Sequence, residues 1–457
     1  IIEIELIMGT KIPLIPRRTT LANAFRFVKN PLPVLNEFVE EKGDIFAMYM
    51  GGFSKAIFTT DPEIVQYVMQ KNNRNYRKSE IQTKMIAQFA GQGLLTSDGN
   101  YWLRQRRLIQ PGFHKAKLAA LSDIMLKVVQ ESCIDLDKLA NSNHAFDLSV
   151  EMTKIAFQVV ARSLFTTSVS NQELITLSDN IQEIQEYIVQ RLRQPYLAPW
   201  FYLTGKSKRQ FKISKESRAI ILRIIQERRA SGKSYNDLLD MLLGTRYEDT
   251  NEGMTDQQLL DESLILFVAG HETSANALAW AFYLLCKNPD SIEKIRNEYK
   301  EVVGNRKVEF SDFPKLKYTT QVIQETMRIY PPAWITDRLA NEPDDIKGYH
   351  IPKDGMLAIY IYGLHHSKSY WKNPEDFIPE RFEKENMKGK PSFAYMPFGG
   401  GPRLCIGNNF AMMEMQLVIL ELLKRYDFKL VANQKIEAMP YVTLQPKNGI
   451  QVDITKR

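Results

Sequence analysis

Apolar positions recur at helical spacing over most of this 457-residue chain. A helix with one buried face repeats its apolar residues every three to four positions. That period is met at 61–71, 115–140, 150–165, 171–193 and 208–231. A further helix is predicted over 291–303, stopped by Gly304. Strand signals are few. Residues 45–49 and 56–59 flank Gly51-Gly52 like the arms of a hairpin. Residues 339–351 and 356–361 flank Asp354-Gly355 in the same way, and 441–444 with 450–454 suggest a last pair. Loops are expected at 72–100, 194–207, 244–255 and 383–397, where Pro, Gly, Asn and charges cluster. No Pro/Gly-rich linker and no repeat of solenoid period divides the chain. The pattern predicts a single domain over 1–457, mainly α with a small β portion. Residues 1–11 are expected to be a poorly structured leader.

One predicted helix differs from the others. Thr255 and Gln258 have the spacing of a capping box, and the pattern then runs to Lys287 before Asn288-Pro289. From 264 to 285 it is apolar nearly all round, which marks a buried helix. Its centre reads Ala269-Gly270-His271-Glu272-Thr273-Ser274. Gly, Thr and Ser are weak helix formers, and a buried charge is expensive. Local rules broken together inside a buried helix point to a functional distortion. A Gly/Ser kink with a paired Glu is the plainer alternative.

Composition narrows the class. The chain is 44% hydrophobic and 25% charged, ordinary for a globular protein. A mainly disordered, collagen-like or multi-span membrane chain is excluded. Sixty Lys and Arg against 53 Asp and Glu leave a net charge of +7. That suits a basic docking face for an acidic partner and does not by itself indicate nucleic acid. Cys133, Cys286 and Cys405 lie far apart, without a CxxC pair, so a reduced compartment is expected rather than a disulfide framework. The opening IIEIELIMGTKIPLIPRR is broken by Glu3 and Glu5 and is too short and too charged to span a bilayer. It also lacks the marks of a signal peptide. With this start, a soluble cytoplasmic protein without a membrane anchor is expected.

The strongest chemical signal is Phe398-Gly399-Gly400-Gly401-Pro402-Arg403-Leu404-Cys405-Ile406-Gly407. Three glycines and a proline make an irregular turn whose amides can point at one sulfur. A helix follows, with Phe410, Met413, Leu417 and Leu420 at helical spacing. A cysteine beside a helix N-terminus is favoured as thiolate. A thiolate of this kind is an axial haem ligand that promotes O–O cleavage. A lone Cys is more often a buried apolar residue, and a Gly-rich turn can bind phosphate, but no Gly-Lys-Ser/Thr is present.

With this loop the chain resembles the cytochrome P-450 family of haem-thiolate monooxygenases. Four more motifs follow the family's pattern: Glu325-Thr326-Met327-Arg328, Pro379-Glu380-Arg381-Phe382, Ala269-Gly270-His271-Glu272-Thr273 and Trp102-Leu103-Arg104-Gln105-Arg106. The likeness covers about 12–455. It implies the family's fold, with a long central helix and a cysteine-ligand loop around one haem b. Cys405 is then the iron ligand, and Phe398 belongs to the cofactor site. Trp102, Arg106, Arg338 and Arg403 match positions that hold the propionates, where a planar guanidinium suits a carboxylate. Glu272 and Thr273 match the acid and alcohol that deliver protons to dioxygen. Glu325 and Arg328, three apart on one helix face, are joined by Arg381 into a structural network, although an i,i+3 pair by itself is commonly an exposed ion pair. His271 is either a packed core histidine or a pocket group; Ala275 denies it a zinc H-E-x-x-H site.

The resemblance also implies partners. No flavin module or iron–sulfur cysteine cluster is seen. Electrons from NAD(P)H are expected through a small acidic ferredoxin, or flavodoxin, and its reductase. Arg104, Arg107, Lys115, Lys117 and Arg403 are candidates for a basic docking surface. Candidate pocket residues mix apolar Ile335 and Val442 with polar Gln82, Gln88, Gln92, Arg193, His271 and Tyr441. Several hydrogen-bonding groups would suit a small methyl sugar, through oxidative O-demethylation of the kind known for 6-O-methyl-D-galactose with release of formaldehyde. An apolar tube would suit a fatty-acid or terpenoid hydroxylase. A peroxide-using peroxygenase and a non-enzymatic haem sensor are further alternatives, neither of which needs the Glu272–Thr273 pair.

Overall fold

The computed structural model describes residues 11–51, 54–142, 144–166 and 170–457. The expected leader lies outside it, apart from Lys11. Helices dominate. The central one, Asp256–Lys287, starts at a reciprocal capping box: Thr255 N–H donates to Gln258 Oε1 at 2.9 Å, and Gln258 N–H donates to Thr255 Oγ1 at 3.2 Å. Its apolar perimeter is buried on several sides. Helix Leu148–Phe165 packs along it, with Phe157 edge-on to Phe267 at 4.8 Å. The two backbones come close at Gly270, where a Cβ would lie 3.1 Å from a Val160 methyl. Helix Asn408–Arg425, which follows the cysteine loop, belongs to the same core cluster. Helices Asn171–Arg193 and Lys206–Ser231 flank this core. Among the described residues no helix is long and apolar enough to cross a membrane.

The β portion is small. A five-stranded sheet runs Ile45–Met50, Ser54–Thr59, Met356–Ile359, Thr336–Ala340, Tyr76–Arg77. The first hairpin has the expected place, with Ile45 opposite Thr59. The second expectation needs correction. Thr336–Ala340 does pair antiparallel with Met356–Ile359, but 339–351 is not one strand. Pro343 lacks the N–H a ladder needs. Lys347 and Gly348, with φ of 52° and 82°, close a separate ribbon of Asp344–Ile346 and Tyr349–Ile351.

The last expected pair does not form. Residues 441–443 are the turn between Ala438–Pro440 and Leu444–Pro446. Gln451–Lys456 instead pairs with Tyr426–Leu430 and Phe146–Asp147. A longer non-local partner outcompetes a short local one, and local periodicity carries no trace of it. The expected loops at 72–100 and 194–207 hold short helical pieces, Ile81–Ile86, Ala87–Ala90 and Ala198–Leu203. The Phe89, Tyr187, Ile188 and Phe201 cluster holds these pieces against Asn171–Arg193.

Glu325, Arg328 and Arg381 do meet. Arg328 donates to both Glu325 oxygens at 2.7 and 2.9 Å, and Arg381 Nε donates to Oε1 at 3.1 Å. Ile378 N–H adds a bond at 3.0 Å. The Glu325 and Arg328 side chains are fully buried. Removing one partner of such a pair leaves a buried charge without compensation, at a cost of about 3–5 kcal/mol. Glu325→Ala should therefore lower the denaturant midpoint steeply. An unchanged midpoint would mean that the arginine finds other compensation.

Candidate functional site

The cysteine loop is shaped by close backbone approaches. Gly401 has φ 63°, and a Cβ there would lie 1.9 Å from the Met69 carbonyl oxygen. A Cβ at Gly400 would strike the Phe393 ring at 2.3 Å. Cys405 N–H donates to the Phe398 carbonyl at 2.9 Å, which fixes the turn. Cys405 has open surface, yet burial among protein groups pushes its thiol up, against the Gly407 N–H and Arg106, which pull it down. Open surface and desolvation together mean that the sulfur faces interior space. Without a cation on the sulfur, desolvation outweighs the thiolate-stabilising donors expected from the sequence.

The central helix shows a matching opening. Ala269 is exposed and Thr273 half-buried, one turn apart, while Ile265 and Ala275 are buried. Thr273 Oγ1 donates to the Ala269 carbonyl at 2.8 Å. Glu272 points elsewhere. It accepts from Thr443 Oγ1 at 2.6 Å, from Gln445 Nε2 at 2.8 Å and from Gln185 Nε2. His271 is a packed core histidine: its Nδ1 lies 2.9 Å from the Phe267 carbonyl, its ring is edge-on to Phe157, and burial pushes its pKa down. Its edge also reaches the wall of a cleft shared with Glu272, Asn276 and Tyr441.

A third feature is a cluster of buried cations. Arg338 and Lys78 are buried, and Arg403 is mostly so. Arg403 donates to Asp98 and, at 2.7 Å, to the Tyr76 carbonyl, and it lies 5.4 Å over the Trp102 ring. Among the described residues its Nε finds no partner. Lys78 Nζ donates to the carbonyls of Leu94 and Leu95 at 2.6 and 3.0 Å. Burial and the neighbouring Arg403 lower Arg338 to about 10. Burial, Arg338 and Arg403 bring Lys78 down to about 7. Burial works against the Asp98 carboxylate, but the Lys78 N–H and Arg403 hold its pKa low, so it stays ionised. Nearby Glu262 is raised by burial to about 8 and is mainly neutral at pH 7. Two arginines and a lysine poised to lose its proton thus face Asp98 and Asp337. Sequence reasoning missed Lys78, a lysine in an expected loop with no motif around it.

Other candidates fall elsewhere. Arg106 does not join this cluster; it donates to the Leu404 carbonyl at 2.9 Å, beside Cys405. One helical turn beyond Trp102 brings it to the sulfur's side. Gln88 and Gln92 are exposed, and Gln82 is tied to Asp337 at 3.1 Å. Ile335 and Tyr441 are half-buried and Val442 is exposed. Arg193 donates to the Val28 carbonyl at 3.3 Å and to the Pro440 carbonyl, with the Tyr441 ring 5.8 Å away. In the basic surface, Arg104 is paired with Asp249 at 3.1 Å and Arg403 is turned inward. Arg107 and Lys117 stay exposed, and the Lys115 side chain lies outside the described residues.

Lys78 makes stability depend on pH. In the unfolded chain it titrates near 10.5, in the folded haem-free chain near 7. Between these values the unfolded state binds more protons, so raising the pH stabilises the fold. From pH 9 to 10, above most of the Glu262 transition, the melting temperature of haem-free protein should rise relative to Lys78→Met. Parallel pH curves for the two proteins would contradict the burial of this ammonium.

Known proteins are similar to this chain over most of its length. The Cytochrome P450 family profile matches residues 13–453. Cyclooctatin synthase of Streptomyces melanosporofaciens is 30% identical over 92% of this chain and 91% of its own length. Cyclooctat-9-en-7-ol 5-monooxygenase of the same organism is 30% identical over 84% of this chain and 82% of its own. Cytochrome P450 CYP72A616 of Paris polyphylla is 29% identical over 93% and 84%. The mainly α fold with its long central helix agrees with them, and the chain belongs to the cytochrome P450 family of haem-thiolate monooxygenases.

Proposed function

We propose that this enzyme hydroxylates a lipophilic substrate of isoprenoid type, as one haem-binding domain fed with electrons by a separate protein. The observation that carries the substrate reading is the apolar cluster beside the Gln185 helix. Phe89, Tyr187, Ile188 and Phe201 are buried together, with Met85, Ile86 and Leu197 packed against them. The polar candidates do not all converge: two glutamines are exposed, one is tied to Asp337, and of the six only His271 and Tyr441 share a cleft. A sugar ring needs several such partners, since each buried hydroxyl left unpaired costs about 1–3 kcal/mol. The methyl-sugar demethylase reading therefore yields to its alternative. Two of the relatives are named for cyclooctatin and cyclooctat-9-en-7-ol, isoprenoids both.

The residues present fit haem b, the cofactor family membership implies. Its two propionates supply the negative charge that Lys78, Arg338 and Arg403 lack, and its iron supplies the cation that a desolvated Cys405 needs to remain a thiolate. Bound there, haem supplies dioxygen activation, so that one oxygen atom enters a C–H bond and the other leaves as water. Cys405 ligates the iron. Lys78, Arg338, Arg403 and Trp102 hold the propionate side, and Arg106 guards the sulfur side. Thr273 holds a hydroxyl proton on the open stretch of the central helix, and Glu272, next to it, handles protons from the other flank. The Glu325–Arg328–Arg381 network holds the packing behind the loop. Arg107 and Lys117 offer charge to a small acidic ferredoxin or flavodoxin, itself reduced by a reductase from NAD(P)H.

Two measurements test this reading. Cys405→Ser should lose the red-shifted carbon-monoxide band of the reduced protein; a retained band would remove Cys405 as ligand. Haem difference spectra should show tight binding of a diterpene alcohol such as geranylgeraniol and none of 6-O-methyl-D-galactose. The reverse order would return the sugar reading.

A further inference from the structure

Glu272 is a carboxylate held by neutral donors from two separate elements. Gln185 reaches it from helix Asn171–Arg193. Thr443 and Gln445 reach it from the turn and second strand of the 438–446 hairpin, at 2.6 and 2.8 Å. Thr443 Oγ1 also accepts from Asn276 Nδ2 at 2.9 Å, so its proton is directed at Glu272. Asn276 lies one turn along the central helix from Glu272. Among the described residues no Lys, Arg or His forms an ion pair with Glu272. These contacts line a cleft of about 840 Å³ between Leu148–Phe165, Asn171–Arg193, the central helix and the hairpin. Gln185, Glu272, Asn276 and Gln445 all face it, with Asp179 and Lys447 on its wall.

The geometry points to a role for these donors: we propose that Gln185, Thr443 and Gln445 are positioning residues that set Glu272 for proton transfer. This rests on Glu272 acting as the acid partner of Thr273. A carboxylate bonded by three donors keeps one orientation, with one flank on the cleft and its backbone beside Thr273. Gln185 sits two and three residues before Tyr187 and Ile188 of the apolar cluster. Under the proposed function, the helix carrying Tyr187 and Ile188 therefore also holds the acid. Seating Asn171–Arg193 over a bound molecule and setting Glu272 become one event, because lifting that helix removes the Gln185 bond.

The test needs no knowledge of the substrate. Haem-loaded enzyme with a surrogate ferredoxin and reductase converts NAD(P)H, a proton and dioxygen into NAD(P)⁺ and hydrogen peroxide, so each turnover consumes protons. Its pH profile and solvent isotope effect report proton delivery. Gln185→Leu should slow the reaction severalfold and enlarge the isotope effect, with haem content and the carbon-monoxide band unchanged. Gln185→His, which keeps a donor at similar reach, should restore most of the rate. Glu272→Gln combined with Gln185→Leu should be no slower than Glu272→Gln alone. If Gln185→Leu fails to hold haem, Gln445→Leu and Thr443→Val carry the same expectation. A normal rate and isotope effect in Gln185→Leu, or full additivity with Glu272→Gln, would overturn the positioning role. A Glu272→Gln enzyme with unaltered proton dependence would instead overturn the acid role on which it rests.

Discussion

Buried positive charge is the constraint around which the site is organised. Lys78, Arg338 and Arg403 come from three distant stretches of chain and gather beside Asp98, with Asp337 next to Arg338. Desolvated like charges repel, and in a low-dielectric interior the repulsion is screened little. A fold tolerates this where a ligand completes the balance. The same reasoning applies to Cys405, whose thiol is disfavoured as an anion until a cation sits on the sulfur. The two imbalances have opposite sign, and a dianionic porphyrin side chain pair with a central metal answers both.

The central helix ties this polar arrangement to the apolar core. Phe267 and Phe157 anchor it on one side, and Gly270 lets it lie close to Val160. With its flanks packed, the open stretch at Ala269 and Thr273 has little freedom to shift. Glu272 then differs from its neighbour in environment: the alcohol's stretch faces interior space, while the acid is bonded to Gln185, Thr443 and Gln445. Adjacent residues on a helix point about 100° apart, which is how one backbone serves two compartments.

Long elements were legible in the sequence because their signals are local. The capping box at Thr255, the 171–193 helix and the 45–59 hairpin follow from spacing alone. The Glu325–Arg328 pair was legible too, since i,i+3 neighbours meet on any helix; its complete burial was not. What periodicity missed is non-local. Gln451–Lys456 takes Tyr426–Leu430 as partner rather than the 441–444 run. Lys78 gains meaning only when Arg338 and Arg403 arrive beside it. Among pocket candidates, helical phase turns Gln88 out to solvent, and Gln92 is exposed in the loop after helix Ala87–Ala90.

The three-stranded sheet formed by Phe146–Asp147, Gln451–Lys456 and Tyr426–Leu430 has a consequence for biosynthesis. Ile450 N–H donates to Asp147 across a separation of 303 residues. At a synthesis rate of roughly 5–20 residues per second, Asp147 waits about 15–60 s for this partner. During that interval the start of helix Leu148–Phe165 has no sheet to anchor it, and its apolar residues meet the central helix before the edge is closed. The nascent chain therefore passes through a stage with an incomplete core and an unpaired strand, the kind of species that chaperones hold until the last strand emerges.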